Sequence, residues 1–219
     1  MFPEIIKKFK EAFKNRRSVY LDYAASTPLD PRVFRVIENA MLDVYGNAGS
    51  IHRQGVEAKT MIDGARISVA KNLQAHPDEI IFTGSGTESN NIAIFSTLQY
   101  LLDQNAKLKD MHFVTSSVEH PSVLEGFKFL ERFGAKVSYI PVGLDGRVDP
   151  QDINNAIREE TILVSIMFVN NEIGTIEPIK EISKVIRNFK KSRKEQHDYP
   201  YFHTDASQGA LYIDMDLRK

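Results

Sequence analysis

Asp205 and Gln208 stand just behind the short apolar segment Tyr201-Phe202-His203-Thr204. A carboxylate at the end of a buried strand is costly unless a cation meets it there. A protonated ring nitrogen is one such cation. Gln208, one turn further on, is placed to donate to a hydroxyl on the same ring. Capping of the next turn by Asp205 is the plainer use of that residue.

Three other polar groups ask for a similar explanation. The run Thr83-Gly84-Ser85-Gly86-Thr87-Glu88-Ser89-Asn90-Asn91 lies between an apolar segment and a helical pattern. Glycines admit a ligand close to the backbone, and helix N-terminal N–H groups attract phosphate. It is neither a Walker loop nor a dinucleotide fingerprint, because Ser89 stands where the third glycine would be. A glycine turn capped by Ser and Thr would use the same residues. Ser117-Val118-Glu119-His120-Pro121 puts an imidazole at a strand exit. There His120 either caps a helix or stacks on a flat ring and moves a proton. Val169-Asn170-Asn171-Glu172-Ile173-Gly174-Thr175 follows the most apolar segment, where the amides serve a turn or bind an oxygen anion. Phosphate cradle, stacking base, amide donor and ring-nitrogen partner together are the parts of a pyridoxal phosphate site.

These groups need a scaffold that brings them to one side. Asp30-Pro31 starts a helix whose apolar positions Val33, Ile37, Ala40, Met41 and Val44 stop at Gly46. A second helix is predicted over 52–73. Strand and helix then alternate. Strands are expected over Glu79–Phe82, His112–Thr115, Lys136–Ile140, Thr161–Val169 and Tyr201–Thr204. Helices are expected over Glu88–Leu102, Pro121–Phe133, from Asp149-Pro150, and over Ile179–Phe189. The pattern predicts an α/β fold, a mostly parallel sheet with helices on both faces. Ligands of such sheets bind beyond the carboxyl ends of the strands, where all four polar motifs fall.

Composition narrows the classes further. The chain has 219 residues, 42% of them hydrophobic, enough for one sizeable core. Lys and Arg number 28 against 29 Asp and Glu, which argues against a nucleic-acid footprint. The basic run Lys190-Lys191-Ser192-Arg193-Lys194 reads as a solvated helix end. No cysteine is present, so disulfides and thiolate metal sites are excluded, and no metal site is expected. No apolar run reaches the length of a membrane span, and Phe2–Phe13 lacks the apolar core of a secretory signal. A cytoplasmic location is the expectation.

The chain resembles the cysteine desulfurases, class V aminotransferase-group enzymes of pyridoxal phosphate fold type I. The resemblance runs from Val19 to about Asp214. It is carried by Leu21-Asp22-Tyr23-Ala24-Ala25-Ser26-Thr27-Pro28, by Tyr45-Gly46-Asn47-Ala48-Gly49-Ser50-Ile51-His52, and by Gly86-Thr87-Glu88-Ser89. Glu119-His120, Asn170-Asn171-Glu172-Ile173-Gly174 and His203-Thr204-Asp205-Ala206-Ser207-Gln208 complete it. Ala48 and Gly49 stand where the family has Pro and Ser.

Helical spacing within Phe2–Phe13 predicts an N-terminal helical segment over 1–18, and the resemblance implies a cofactor-binding large domain over 19–219. It implies that Gly86 and Thr87 bind the cofactor phosphate and that His120 stacks on the ring and assists proton transfer. Asn171 would contact the ring hydroxyl and substrate region, Asp205 the pyridine nitrogen, and Gln208 the ring hydroxyl. The implied reaction takes sulfur from L-cysteine. It leaves alanine and an enzyme persulfide for iron–sulfur clusters or thiolated tRNA. A homodimer and a sulfur-acceptor protein such as an iron–sulfur scaffold are the implied partners. The family's Schiff-base lysine and persulfide cysteine have no counterpart, since the chain contains neither a His-Lys pair nor a cysteine. The large domain is therefore expected to be incomplete and the isolated chain inactive. A selenocysteine lyase, an aminotransferase, or a non-catalytic half that joins a separate C-terminal part are the alternatives.

Overall fold

The computed structural model describes residues 4, 19–102, 105–193, 198–210 and 212–213. The expected helical segment over 1–18 lies outside these residues, Glu4 apart. The chain divides into two units, Met1–Met41 and Leu42–Lys219. Helix α1 (Pro31–Asp43) occupies the end of the first and crosses into the second. Asp30 starts it as expected, its carboxylate accepting from the Arg32 N–H at 2.7 Å.

The second unit holds α2 (Arg53–Leu73), α3 (Gly86–Leu102), β1 (His112–Ser116), α4 (Pro121–Arg132) and β2 (Lys136–Ile140). It continues with α5 (Pro150–Ala156), β3 (Thr161–Ser165), α6 (Ile179–Ser192) and β4 (Tyr201–His203). The four strands form a wholly parallel sheet in the order β2-β1-β3-β4. The β-α alternation requires this, because a parallel neighbour can be reached only by a crossover.

Strand residues alternate between two cores. Phe113 and Leu163 face one, with Ile94 and Leu101 of α3 and Val123, Phe127 and Leu130 of α4. Val114 and Val164 face the other, with Ile153 of α5 and Ile182 and Ile186 of α6. Both faces of the sheet are thus covered, which is why β1 and β3 are buried at every position.

Three expectations change. Glu79–Phe82 is not a strand. Pro77–Glu79 form a 3-10 turn, and residues 80–83 join no ladder among the described residues. Ile81 is 70% exposed, so its apolar character alone did not place it in the sheet. The predicted strand Thr161–Val169 ends as a ladder at Ser165. Ile166 and Phe168 still donate to the carbonyls of His203 and Asp205, which carries the pairing to the site. Arg193 is not solvated: its side chain is 4% exposed and donates to the carbonyls of Tyr199 and Glu159.

Candidate functional site

The carboxyl ends of β1, β3 and β4 open onto the N-terminus of α3. Ser85 caps that helix, its hydroxyl accepting from the Glu88 N–H at 3.2 Å. Glu88 reaches back to the Gly84 N–H at 2.6 Å. Thr83 and Ser89 join hydroxyls at 2.7 Å across the turn. The capping reading of the glycine run is the one these bonds display. Ser and Thr build the turn, and the first-turn N–H groups of Gly86 and Thr87 have no partner within the helix. Such a terminus favours an anion.

Asp205 leaves β4 beside that terminus. Asn90, one turn into α3 and 4% exposed, donates from Nδ2 to Asp205 Oδ2 at 2.8 Å. The Ser207 N–H donates to Asp205 Oδ1 at 3.0 Å. Burial pushes the Asp205 carboxyl up, but the hydrogen bonds from Ser207 and Asn90 outweigh it and hold the group below its ordinary value. It is an anion at neutral pH. The same turn meets the helix end: a side-chain carbon on Gly86 would lie 3.4 Å from Ser207 Oγ. Thr204 Oγ1, next to Asp205, is buried without a hydrogen-bond partner among the described residues.

His120 is the N-cap of α4. Its Nδ1 accepts from the Ser122 N–H at 3.1 Å and lies 2.7 Å from Ser122 Oγ. Ser122 Oγ in turn accepts from Asn90 at 2.9 Å. His120 thus caps its helix and is joined through Ser122 and Asn90 to Asp205. Thr87, Asn91, His120 and Ser122 also line one open groove.

The two asparagines of the β3 exit have different surroundings. Asn170 is spent on the loop: its Oδ1 accepts from the N–H groups of Glu172 and Ile173, and its Nδ2 donates to Val118 O at 3.1 Å. Asn171 follows it, half-buried, and Gln208 is exposed on the turn over 207–210. Among the described residues, neither side chain is hydrogen-bonded to the other candidates. Gly86, Thr87, His120 and Asp205 are the candidates brought together.

Sequence reasoning assigned no part to Asn90, Ser122 or Glu119. The signal for Asn90 was its spacing from Ile94 and Leu101, which makes it an amide on the core-facing stripe of α3. Glu119 is 4% exposed, and its Oε1 accepts from Ser116 Oγ at 2.7 Å and from the Met167 N–H at 2.8 Å. Burial lifts its carboxyl to about 7, against those two hydrogen bonds.

Several known proteins are similar to this chain. The family model for aminotransferase class-V matches residues 19–219. A cysteine desulfurase IscS of Dictyoglomus turgidum is 46% identical over 92% of this chain and 48% of its own length. A solved NifS-like protein superposes with a TM-score of 0.80 at 37% identity, over 92% of this chain and 52% of that one. A structure described as SspA in complex with cysteine gives a TM-score of 0.81 at 37% identity, over 92% of this chain and 54% of that one. The chain spans about half the length of the curated relatives it matches. On the match over 19–219, the chain belongs to the aminotransferase class-V family.

Proposed function

We propose that this chain is the pyridoxal phosphate-binding part of a cysteine desulfurase. One observation carries the reading: the bond from Asn90 to Asp205 ties a half-buried carboxylate to the helix whose N-terminus is open to an anion. Asn90 lies four residues along α3 from Gly86, a rise of about 6 Å. A carboxylate held about one helical turn from an anion-favouring terminus suits the ring nitrogen and the phosphate of one cofactor molecule. The donor set fits the group chemically, with N–H groups for the phosphate and an anion for the protonated nitrogen.

In this reading the N–H groups of Gly86 and Thr87 hold the phosphate. Asp205 stays ionised and keeps the proton on the ring nitrogen. His120 covers the ring and exchanges a proton with the substrate, while Asn171 and Gln208 donate to the ring hydroxyl. Pyridoxal phosphate bound there supplies an electron sink for bond breaking in an amino acid. The substrate proposed is L-cysteine, supported by the curated relative named a cysteine desulfurase and by the neighbour solved with cysteine. Sulfur release as a persulfide, a homodimer, an acceptor such as an iron–sulfur scaffold, and a cytoplasmic location belong to the same proposal for the whole protein. No described helix is long and apolar enough to cross a membrane.

Titration of the 219-residue chain with pyridoxal phosphate, followed by absorbance, tests the reading. Saturable binding is expected, weakened about tenfold or more by Asp205→Ala. Absence of saturable binding, or equal affinity in the variant, would overturn it.

A further inference from the structure

Asn90, Ser122, His120 and Asp205 form one continuous chain of hydrogen bonds. Its directions can be worked out from the donors. Asp205 is an acceptor only, so the atom of Asn90 that faces it must be the amide nitrogen. That nitrogen carries two hydrogens, and its two partners, Asp205 Oδ2 and Ser122 Oγ, take one each. Ser122 Oγ accepts from Asn90 and therefore has its own hydrogen left to give. The atom 2.7 Å away is His120 Nδ1. The Ser122 backbone N–H, which can only donate, points at the same atom from 3.1 Å. Two donors thus converge on Nδ1, and the neutral ring must carry its proton on Nε2.

We propose that Asn90 is a positioning residue that holds Asp205 and His120 in one frame. It fixes the carboxylate's orientation directly and the imidazole's tautomer through Ser122. The value of that frame to catalysis rests on the proposed cofactor reading, but the frame itself does not. A carboxylate meeting a ring nitrogen must keep its angle, and a proton-moving imidazole must present the right nitrogen. One buried amide between α3, α4 and β4 meets both needs. Packing alone would be met equally well by an apolar side chain of the same size.

The test reads the His120 ring by nitrogen-15 NMR in the 219-residue chain without cofactor, in wild type, Asn90→Leu and Ser122→Ala. Wild type is expected to show the Nε2–H form. The Nδ1–H form is expected to rise at least a few-fold in the variants, and Ser122→Ala keeps the test open if Asn90→Leu does not fold. A wild-type ring protonated at Nδ1, or an unchanged tautomer in every variant that folds, would overturn the proposal. Pyridoxal phosphate titration supplies a second readout. Asn90→Leu should bind about tenfold more weakly, the worth of one hydrogen bond to a charged group. Equal affinity would remove the Asp205 half of the proposal. Failure of wild type to bind cofactor would count against the functional reading instead, and the tautomer result would still decide this one.

Discussion

Glu119 Oε1 accepts a hydrogen bond from the Met167 N–H at 2.8 Å, across 48 residues of sequence. The chain leaving β1 is thereby latched to the chain leaving β3. His120 follows Glu119 directly, and Asn170 and Asn171 follow Met167 within the same loop. Asn170 Nδ2 donates to Val118 O and doubles the latch. The second oxygen of Glu119 is buried with no partner among the described residues.

That orphaned oxygen predicts a pH dependence. Burial raises the carboxyl from its ordinary 4.5 to about 7, with the charges of Asp205 and Glu177 adding to it. A folded-state value above the unfolded one means that the folded chain holds the proton more tightly. The resulting stability is fully present below about 4.5 and is lost as pH rises through about 7. The whole effect is on the order of 3 kcal/mol. Glu119→Gln removes it, so the variant should gain on wild type between pH 5 and pH 8 in urea unfolding. A difference between the two proteins that stays constant with pH would refute this.

His112 works in the opposite direction. It is 1% exposed, between Thr161 Oγ1 at 2.8 Å and Ser138 Oγ at 2.9 Å. Burial, then the positive charge of Arg158, lowers it from 6.5 to about 4. The unfolded chain then binds the proton first, so this stability is present above 6.5 and is lost as pH falls through about 4. Between pH 5 and 6.5 the Glu119 and His112 effects largely cancel. His112→Gln should therefore lose less stability than wild type on acidification from pH 7 to pH 4. An equal loss in both proteins would contradict the assignment.

Such long-range pairs mark the limit of what the sequence can tell. Asp30-Pro31, Asp149-Pro150 and His120-Pro121 announced three helix starts, because capping is settled within a few residues. The near-continuous apolar run at β3 announced a strand covered on both faces, because every position in it is buried. The segment Glu79–Phe82 misled, because a strand exists only beside another strand. Asp205 and His120 stood out as candidates, because a carboxylate behind an apolar strand and an imidazole before a proline are local features. Asn90 did not, because its partner Asp205 lies 115 residues away and nothing local betrays the contact.

Two glycines of α2 give opposite predictions for one substitution. A side-chain carbon on Gly55 would press into the carbonyl oxygens of Ser50 and Asn47, both backbone atoms. This loop contains Ala48 and Gly49, and His52 closes it by accepting from the Gly55 N–H at 3.3 Å. Gly55→Ala should cost about 2 kcal/mol or more, since the backbone must move. A side-chain carbon on Gly64 would meet nothing within 4 Å beyond its own helix backbone and chain neighbours, so Gly64→Ala should stabilise by about 0.5–1 kcal/mol. Thermal melts of the two variants check the pair, and a shift of the same sign in both would contradict the packing described.

Arg193 is a further residue whose role only the fold reveals. Its guanidinium donates to Tyr199 O at 2.9 Å and to Glu159 O at 2.7 Å. Its Nε lies 3.0 Å from Glu159 Oε2, close enough for ion pairing though not aligned as a hydrogen bond. The same group sits 4.9 Å from the centre of the Tyr199 ring. One planar fork thus joins the end of α6, the turn before β3 and the approach to β4. Lysine carries the charge but offers a single nitrogen, which cannot reach both carbonyls and stack as well. Arg193→Lys should cost about 2 kcal/mol, nearly as much as Arg193→Ala. Equilibrium unfolding of both variants decides it, and a lysine variant as stable as wild type would show that charge alone suffices there.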